Sequence, residues 1–272
     1  MLALASPLLL AALGEILGER AGVLNIGLEA MMLCGAWGAA AASFLSHNAL
    51  VGVFGAMAAG IAVSILFGWL VLQLKADAVV VGTGLNLFAL GLTGTLHRAM
   101  SAKHGSYSAQ SVPEWAFALL GLFLVPVVSY FLTRTRAGLS LRACGEAPRA
   151  ALSMGVSVAR VRWLATLCNG ALCGLAGAFL TMASVQSFGE NATAGRGFIA
   201  LAIVIFGRYS PFGALGAALL IATADASQIV LQNRLPSNLY PLLLILPYVL
   251  TLVSLAGFAG KSKAPAALGE NL

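Results

Sequence analysis

Between Ala30 and Leu74 the chain carries no Asp, Glu, Lys or Arg. A membrane-spanning helix needs roughly 20 apolar residues, so this run holds two spans, joined by the polar turn Ser46, His47 and Asn48. Charged residues make up 9% of the 272 and hydrophobic ones 60%, whereas soluble domains carry about 25% charged. The alternating ~10-residue pattern of an outer-membrane barrel is absent. The fold class is therefore all-α, a polytopic membrane helical bundle of about eight or nine transmembrane helices in a single domain, 1–272.

The remaining apolar windows complete the bundle. They lie at 2–17, from 30 to 45, at 50–72, 79–96, 115–132, 163–183, 215–231 and 238–258. The window 197–206 is too short, since about 10 helical residues rise only ~15 Å. It forms either a half-helix or a continuation of 215–231 around the break at Gly207, Arg208, Tyr209, Ser210 and Pro211. A polar loop is expected from His97 to Glu114. Residues 1–17 lack a basic n-region and a cleavage site, and read as a retained helix.

One long polar interruption, 133–162, breaks the pattern. It holds six of the fifteen basic residues (Arg134, Arg136, Arg142, Arg149, Arg160 and Arg162) and one acid, Glu146. Pro148 suits the first turn of a short helix and Gly155 its end. With this loop inside and 197–206 counted as a crossing, eleven of the fifteen basic residues fall on the inner side. That is the bias expected of a cytoplasmic loop, and it places the N-terminus outside. Basic residues gathered at membrane boundaries orient the chain, so the net charge of +6 does not point to nucleic acid. The four cysteines form no CxxC and read as small packing residues. The three histidines sit in or beside polar loops without metal-ligand spacing, so no metal site and no catalytic constellation is expected. Gly260, Lys261 and Ser262 follow a membrane helix rather than a strand, which rejects them as a phosphate loop.

Polar residues within spans must face protein or water, because an acid at the centre of a span costs about 2.5–3.5 kcal/mol. Asn25 and Glu29 are four apart and would share a helix face. Glu29 either lines a translocation path or satisfies orphan backbone N–H groups of the broken 22–27 segment. Asn86 and Asn169 either meet a polar solute or hold helices together, Thr83 lies on the same span as Asn86, and Asp225 is a further acid in a span. Phe88 either stacks on a solute ring or packs in the core. Gly14/Gly18 and Gly170/Gly174 allow close helix approach.

Three blocks carry a resemblance. Glu19, Arg20, Gly22, Val23, Asn25, Ile26, Gly27, Glu29 and Met32 match ERxGVxNIGxEGxM, with Ala30 in place of the usual glycine. Gly138, Leu139, Leu141, Arg142, Ala143, Gly145, Glu146, Pro148, Ala150, Ala151 and Gly155 match GLxLRAxGExPxAAxxxG. Gly195 to Ala202, with Phe206, Gly207, Arg208 and Pro211, form the third. Together they resemble ABC-importer permeases of the ribose/branched-chain amino acid superfamily, nucleoside and simple-sugar branch.

The resemblance implies a bacterial inner-membrane subunit that is not itself an enzyme and binds no cofactor, ATP being bound by a separate ATPase subunit. Expected partners are that ATPase, a second homologous permease, a periplasmic or lipoprotein substrate-binding protein, and membrane lipid. The solute expected is a nucleoside, with simple sugars and riboflavin-like molecules as alternatives. The substrate path is expected to include Asn25, Glu29, Thr83, Asn86, Phe88 and Asn169. ATPase coupling is expected at Leu141, Ala143, Gly145, Glu146, Pro148 and Ala151, with Arg142 and Arg149 on the rim. An ion-driven secondary transporter would show inverted repeats with acids at matching depths, and no such repeat is visible.

Overall fold

The computed structural model describes residues 2–105, 107–232 and 264–270. Among these, ten helices follow one another: α1 (Leu2–Arg20), α2 (Leu28–Ser46), α3 (Ala49–Gly68), α4 (Ala78–His104), α5 (Glu114–Arg134), α6 (Arg136–Glu146), α7 (Pro148–Ser153), α8 (Val158–Ala178), α9 (Arg196–Phe206) and α10 (Pro211–Gln232). α3 and α8 each run on through a wider π turn, Trp69–Gln73 and Phe179–Ser184. Six of the helices, counted with these extensions, are long and apolar enough to span a membrane. The window 238–258, together with Arg234, Lys261 and Lys263, lies outside the described residues.

The charge-free run folds as its sequence requires. His47 ends α2 in the left-handed region, and the Asn48 side chain accepts from Leu50 N–H at 2.9 Å to start α3. α4 is longer than its apolar window. Asp77 caps its start through Val79 and Val80 N–H, and the helix continues through the polar residues after Leu96 until Gly105 turns it at φ 75°. The expected loop from His97 therefore begins only there, because a membrane boundary need not end a helix whose backbone bonds stay internal. α8 likewise starts at Val158, so Arg160 and Arg162 belong to a helix rather than to the basic loop.

Glycines bring the central helices together. A Cβ at Gly174 would strike the Ala56 carbonyl of α3, and one at Gly177 the Met32 carbonyl of α2. A Cβ at Gly14 would meet Asn169 of α8. α1, α2 and α8 are consequently the buried centre, while α3, α4 and α5 leave most of their apolar surface outward. Lipid or another apolar protein face suits such a periphery.

The basic loop is compact. Thr135 Oγ1 accepts from Gly138 N–H at 3.0 Å, opening α6 directly beneath α5. Pro148 occupies the first turn of α7, and Gly155 leaves it at φ 81°. Cys144, Ala151 and Val158 form a small core between α6, α7 and α8.

Candidate functional site: a pocket between two helix starts

α2 and α9 both begin inside the bundle. Residues 21–27 are non-helical, so Asn25 and Glu29 do not share a helix face as their spacing suggested. The interruption follows from Gly22, held at φ 87°, and from side chains that take over the lost backbone bonds. Asn25 Oδ1 accepts from Gly27 N–H at 2.8 Å. Asn25 N–H in turn donates to Glu15 Oε1 at 3.0 Å. Asn86 of α4 closes the break from outside: its Oδ1 accepts from Ala30 N–H at 2.9 Å, and its Nδ2 donates to the Ile26 carbonyl at 3.0 Å.

α9 is the half-helix, separate from α10. Its end lies at the basic side, where Arg20 Nε donates to the Tyr209 carbonyl at 2.9 Å. The 11-residue helix rises about 16 Å, half of a ~30 Å hydrocarbon core, so its start lies near mid-depth. There Glu29 gathers it in. Oε1 accepts from Thr193 Oγ1 at 2.5 Å and Gly195 N–H at 2.8 Å, and Oε2 accepts from Gly197 N–H at 2.7 Å. One carboxylate in the first turn of α2 thus also meets the N–H end of α9, where the dipole favours negative charge. Its backbone donors are those of α9 rather than of the 22–27 segment. A Cβ at Gly197 would press on the Glu29 backbone, so only glycine permits this approach.

Beside this junction is a pocket of about 380 Å³, lined by Glu29, Thr83, Asn86, Asn191, Gly195 and Phe198 among others. Three residues expected on the path, Glu29, Thr83 and Asn86, come together here. Asn25 and Asn169 do not. Each is 1% exposed, and Asn169 Nδ2 donates to Glu15 Oε2 at 2.6 Å, which fastens α8 to α1. Phe88 is turned outward on α4. Asp225 is half-buried on α10. Sequence reading passed over Glu15, Thr193 and Asn191. The signal for Glu15 was an acid inside the first apolar window; Thr193 and Asn191 had only their nearness to the third glycine block.

At the basic end, Leu141, Gly145, Pro148 and Ala151 are turned into the chain, while Glu146 and Arg149 are exposed and Arg142 and Ala143 half-buried. The outward surface they leave is an apolar groove of about 280 Å³ between α6 and α7, lined by Leu139, Ala143, Ala147, Ala150, Met154 and Val156 among others. Met154 is 84% exposed.

A many-spanning bundle with broken helices at mid-depth and a folded polar knob at one end is the architecture of a membrane permease subunit. Comparison makes this specific. Residues 1–255 match the profile of the branched-chain amino acid transport system / permease component family, and the chain belongs to that family. It is 33% identical to the guanosine ABC transporter permease protein NupQ of Bacillus subtilis, over 97% of this chain and 92% of that one. It is 34% identical to the nucleoside ABC transporter permease protein NupC of Lactococcus lactis, over 100% and 94%. The putative glucose ABC transporter permease protein TsgC13 of Haloferax volcanii is 35% identical over 84% and 75%. No solved structure gives a significant match.

Proposed function

We propose that the chain is the translocation subunit of a bacterial ABC importer for nucleosides, working with a separate ATPase, a second homologous permease and a substrate-binding protein. The observation that carries the solute class is the mid-depth pocket. Its polar rim of Thr83, Asn86 and Asn191 suits ribose hydroxyls, and Phe198 with Leu33 suits a flat base. The named activities of the guanosine and nucleoside permeases point the same way. Glu29 and Asn86 shape this pocket by holding both helix starts, and their atoms facing α9 and the break are already engaged. A simple sugar is the second reading, supported by the similarity to the putative glucose permease.

The α6–α7 knob is the coupling element, and its outward groove is where the ATPase seats an apolar side chain. Arg149 and Glu146 border it with charge. ATP-driven motion at the knob passes to α1 and α8, against which it packs, and from there to the junction at Glu29.

Uptake of labelled guanosine, uridine and glucose into proteoliposomes holding the full complex tests this. ATP-dependent accumulation of a nucleoside, competed by other nucleosides, is expected. Accumulation of glucose alone would move the chain to the sugar reading, and uptake that survives without ATP would remove the importer assignment.

A further inference from the structure

Segment 264–270 lies beyond the family-matched residues 1–255, yet it is built into the point where the knob meets the bundle. Ala267 N–H donates to the Gly145 carbonyl at 2.9 Å, and Gly269 N–H to the Gly22 carbonyl at 3.1 Å. Both acceptors need partners from outside a helix: Gly145 belongs to the last turn of α6, whose carbonyls have no intrahelical donor, and Gly22 is in the non-helical 21–27 stretch. Ala266 N–H lies 3.4 Å from Glu146 Oε2. Arg162, 4% exposed at the start of α8, fastens the other side. Its Nη1 donates to the Glu270 carbonyl at 2.7 Å and its Nε to the Ala21 carbonyl at 3.2 Å. Ala267 is itself 3% exposed.

The segment therefore joins three parts that are far apart in sequence: the exit of α1, the end of α6 and the start of α8. These are also the parts through which displacement of the knob must reach the pocket. A link that transmits displacement has to keep its contacts with the elements it joins while they move. Without the segment, the Gly145 and Gly22 carbonyls and one Arg162 donor would lose their partners together. Water would enter the junction and loosen it.

We infer that residues 264–270 are a positioning strap: they clamp α6 to the Ala21–Gly22 exit of α1 and to Arg162 of α8, so that motion of the knob is delivered to the spans. This rests on the reading of α6–α7 as the ATPase contact. The strap is a positioning element: its hydrogen bonds are with Gly22, Gly145, Glu146 and Arg162, none of which lines the pocket or the outward groove.

The test uses the complete importer in proteoliposomes, with three forms of this chain. One ends at Lys263, one carries Ala267→Pro, which removes the N–H given to Gly145, and one carries Ala267→Gly, which keeps it. ATPase retention, ATP hydrolysis and solute uptake are measured together. In the first two forms the ATPase is expected to stay bound and hydrolyse ATP, while solute moved per ATP falls. The fall is about fivefold in Ala267→Pro, the factor that one lost backbone hydrogen bond carries, and about tenfold or more in the form ending at Lys263, which also loses the Gly269 and Glu270 bonds. Ala267→Gly should behave as the full chain. An unchanged ratio in both altered forms overturns the strap. So does a raised ratio, which would make the segment an inhibitory lock, and so does loss of the ATPase, which would make it a docking element. Ala150→Glu in the full chain reports separately on the groove. If the ATPase stays bound and coupled there, the docking reading fails, whatever the strap forms show.

Discussion

Glu29 shows what a single side chain decides in this protein. Three donors at the start of α9, from Thr193, Gly195 and Gly197, converge on it, so it is met on the protein side and not by lipid. Glu29→Gln keeps the shape but turns an amide N–H₂ toward one of those donors. The expected cost is about 1–3 kcal/mol for an unsatisfied buried group, read as a lower melting temperature in detergent together with lost uptake; unaltered melting would show that the junction does not depend on the charge. The sequence made the need for a partner legible, since an acid in a span cannot face lipid, but not the partner. Thr193 is separated from Glu29 by most of the chain, and nothing local marks the pairing. Asn25 shows the opposite error: its spacing from Glu29 suggested a shared helix face, and the turn at Gly22 removed the helix. Cys144 supplies a second test at this scale. It is 0% exposed, and burial pushes its thiol up while Arg162 pulls it back less strongly. The neutral thiol is thus favoured, and maleimide labelling, with the other three cysteines replaced, should require a pH above the ~8.5 of a free thiol. Rapid labelling near neutral pH would show an open junction.

Among the elements, the short ones were the hardest to read. Long spans announce themselves by length and apolarity. Pro148 and Gly155 placed α7 correctly, because their backbone restrictions are local. The ends of α4 and α8 were missed because a helix can outlast its membrane-buried portion. The α6 end depends on close approach: a Cβ at Gly145 would run into the Arg20 carbonyl and lie 3.2 Å from Gly22 N. Gly145→Val should therefore push α6 off the last residue of α1 while the apolar length of the spans stays packed. The expected result is retained ATP hydrolysis with uptake reduced at least tenfold, an order of effect set by displacing one packed interface. Normal uptake in that variant would remove α6 from the coupling route. For the residues expected at coupling, burial divides what the motif could not: Leu141, Gly145, Pro148 and Ala151 are turned inward, and an apolar groove lies on the outward side beside them.

At the scale of the whole molecule, the pocket is incomplete on one side. Leu87 on its border is 73% exposed and Phe198 48% exposed, both continuous with the outward apolar faces of α4 and α9. A polar solute could not cross beside lipid at that edge, because its hydroxyls would meet hydrocarbon without partners. A second permease subunit seated against α4 would close the edge and leave a path between the two chains, each contributing its own junction of helix starts. Leu87→Cys should then cross-link to a cysteine on the homologous permease in the assembled importer. The same cysteine should be shielded from a lipid-phase probe only when that subunit is present. Reconstituted with the ATPase but without a second permease, the chain should bind its ATPase and move no solute. If Leu87→Cys reacts with the lipid probe equally in both states, the open edge faces the bilayer, and the path must lie among α1, α2 and α8 instead.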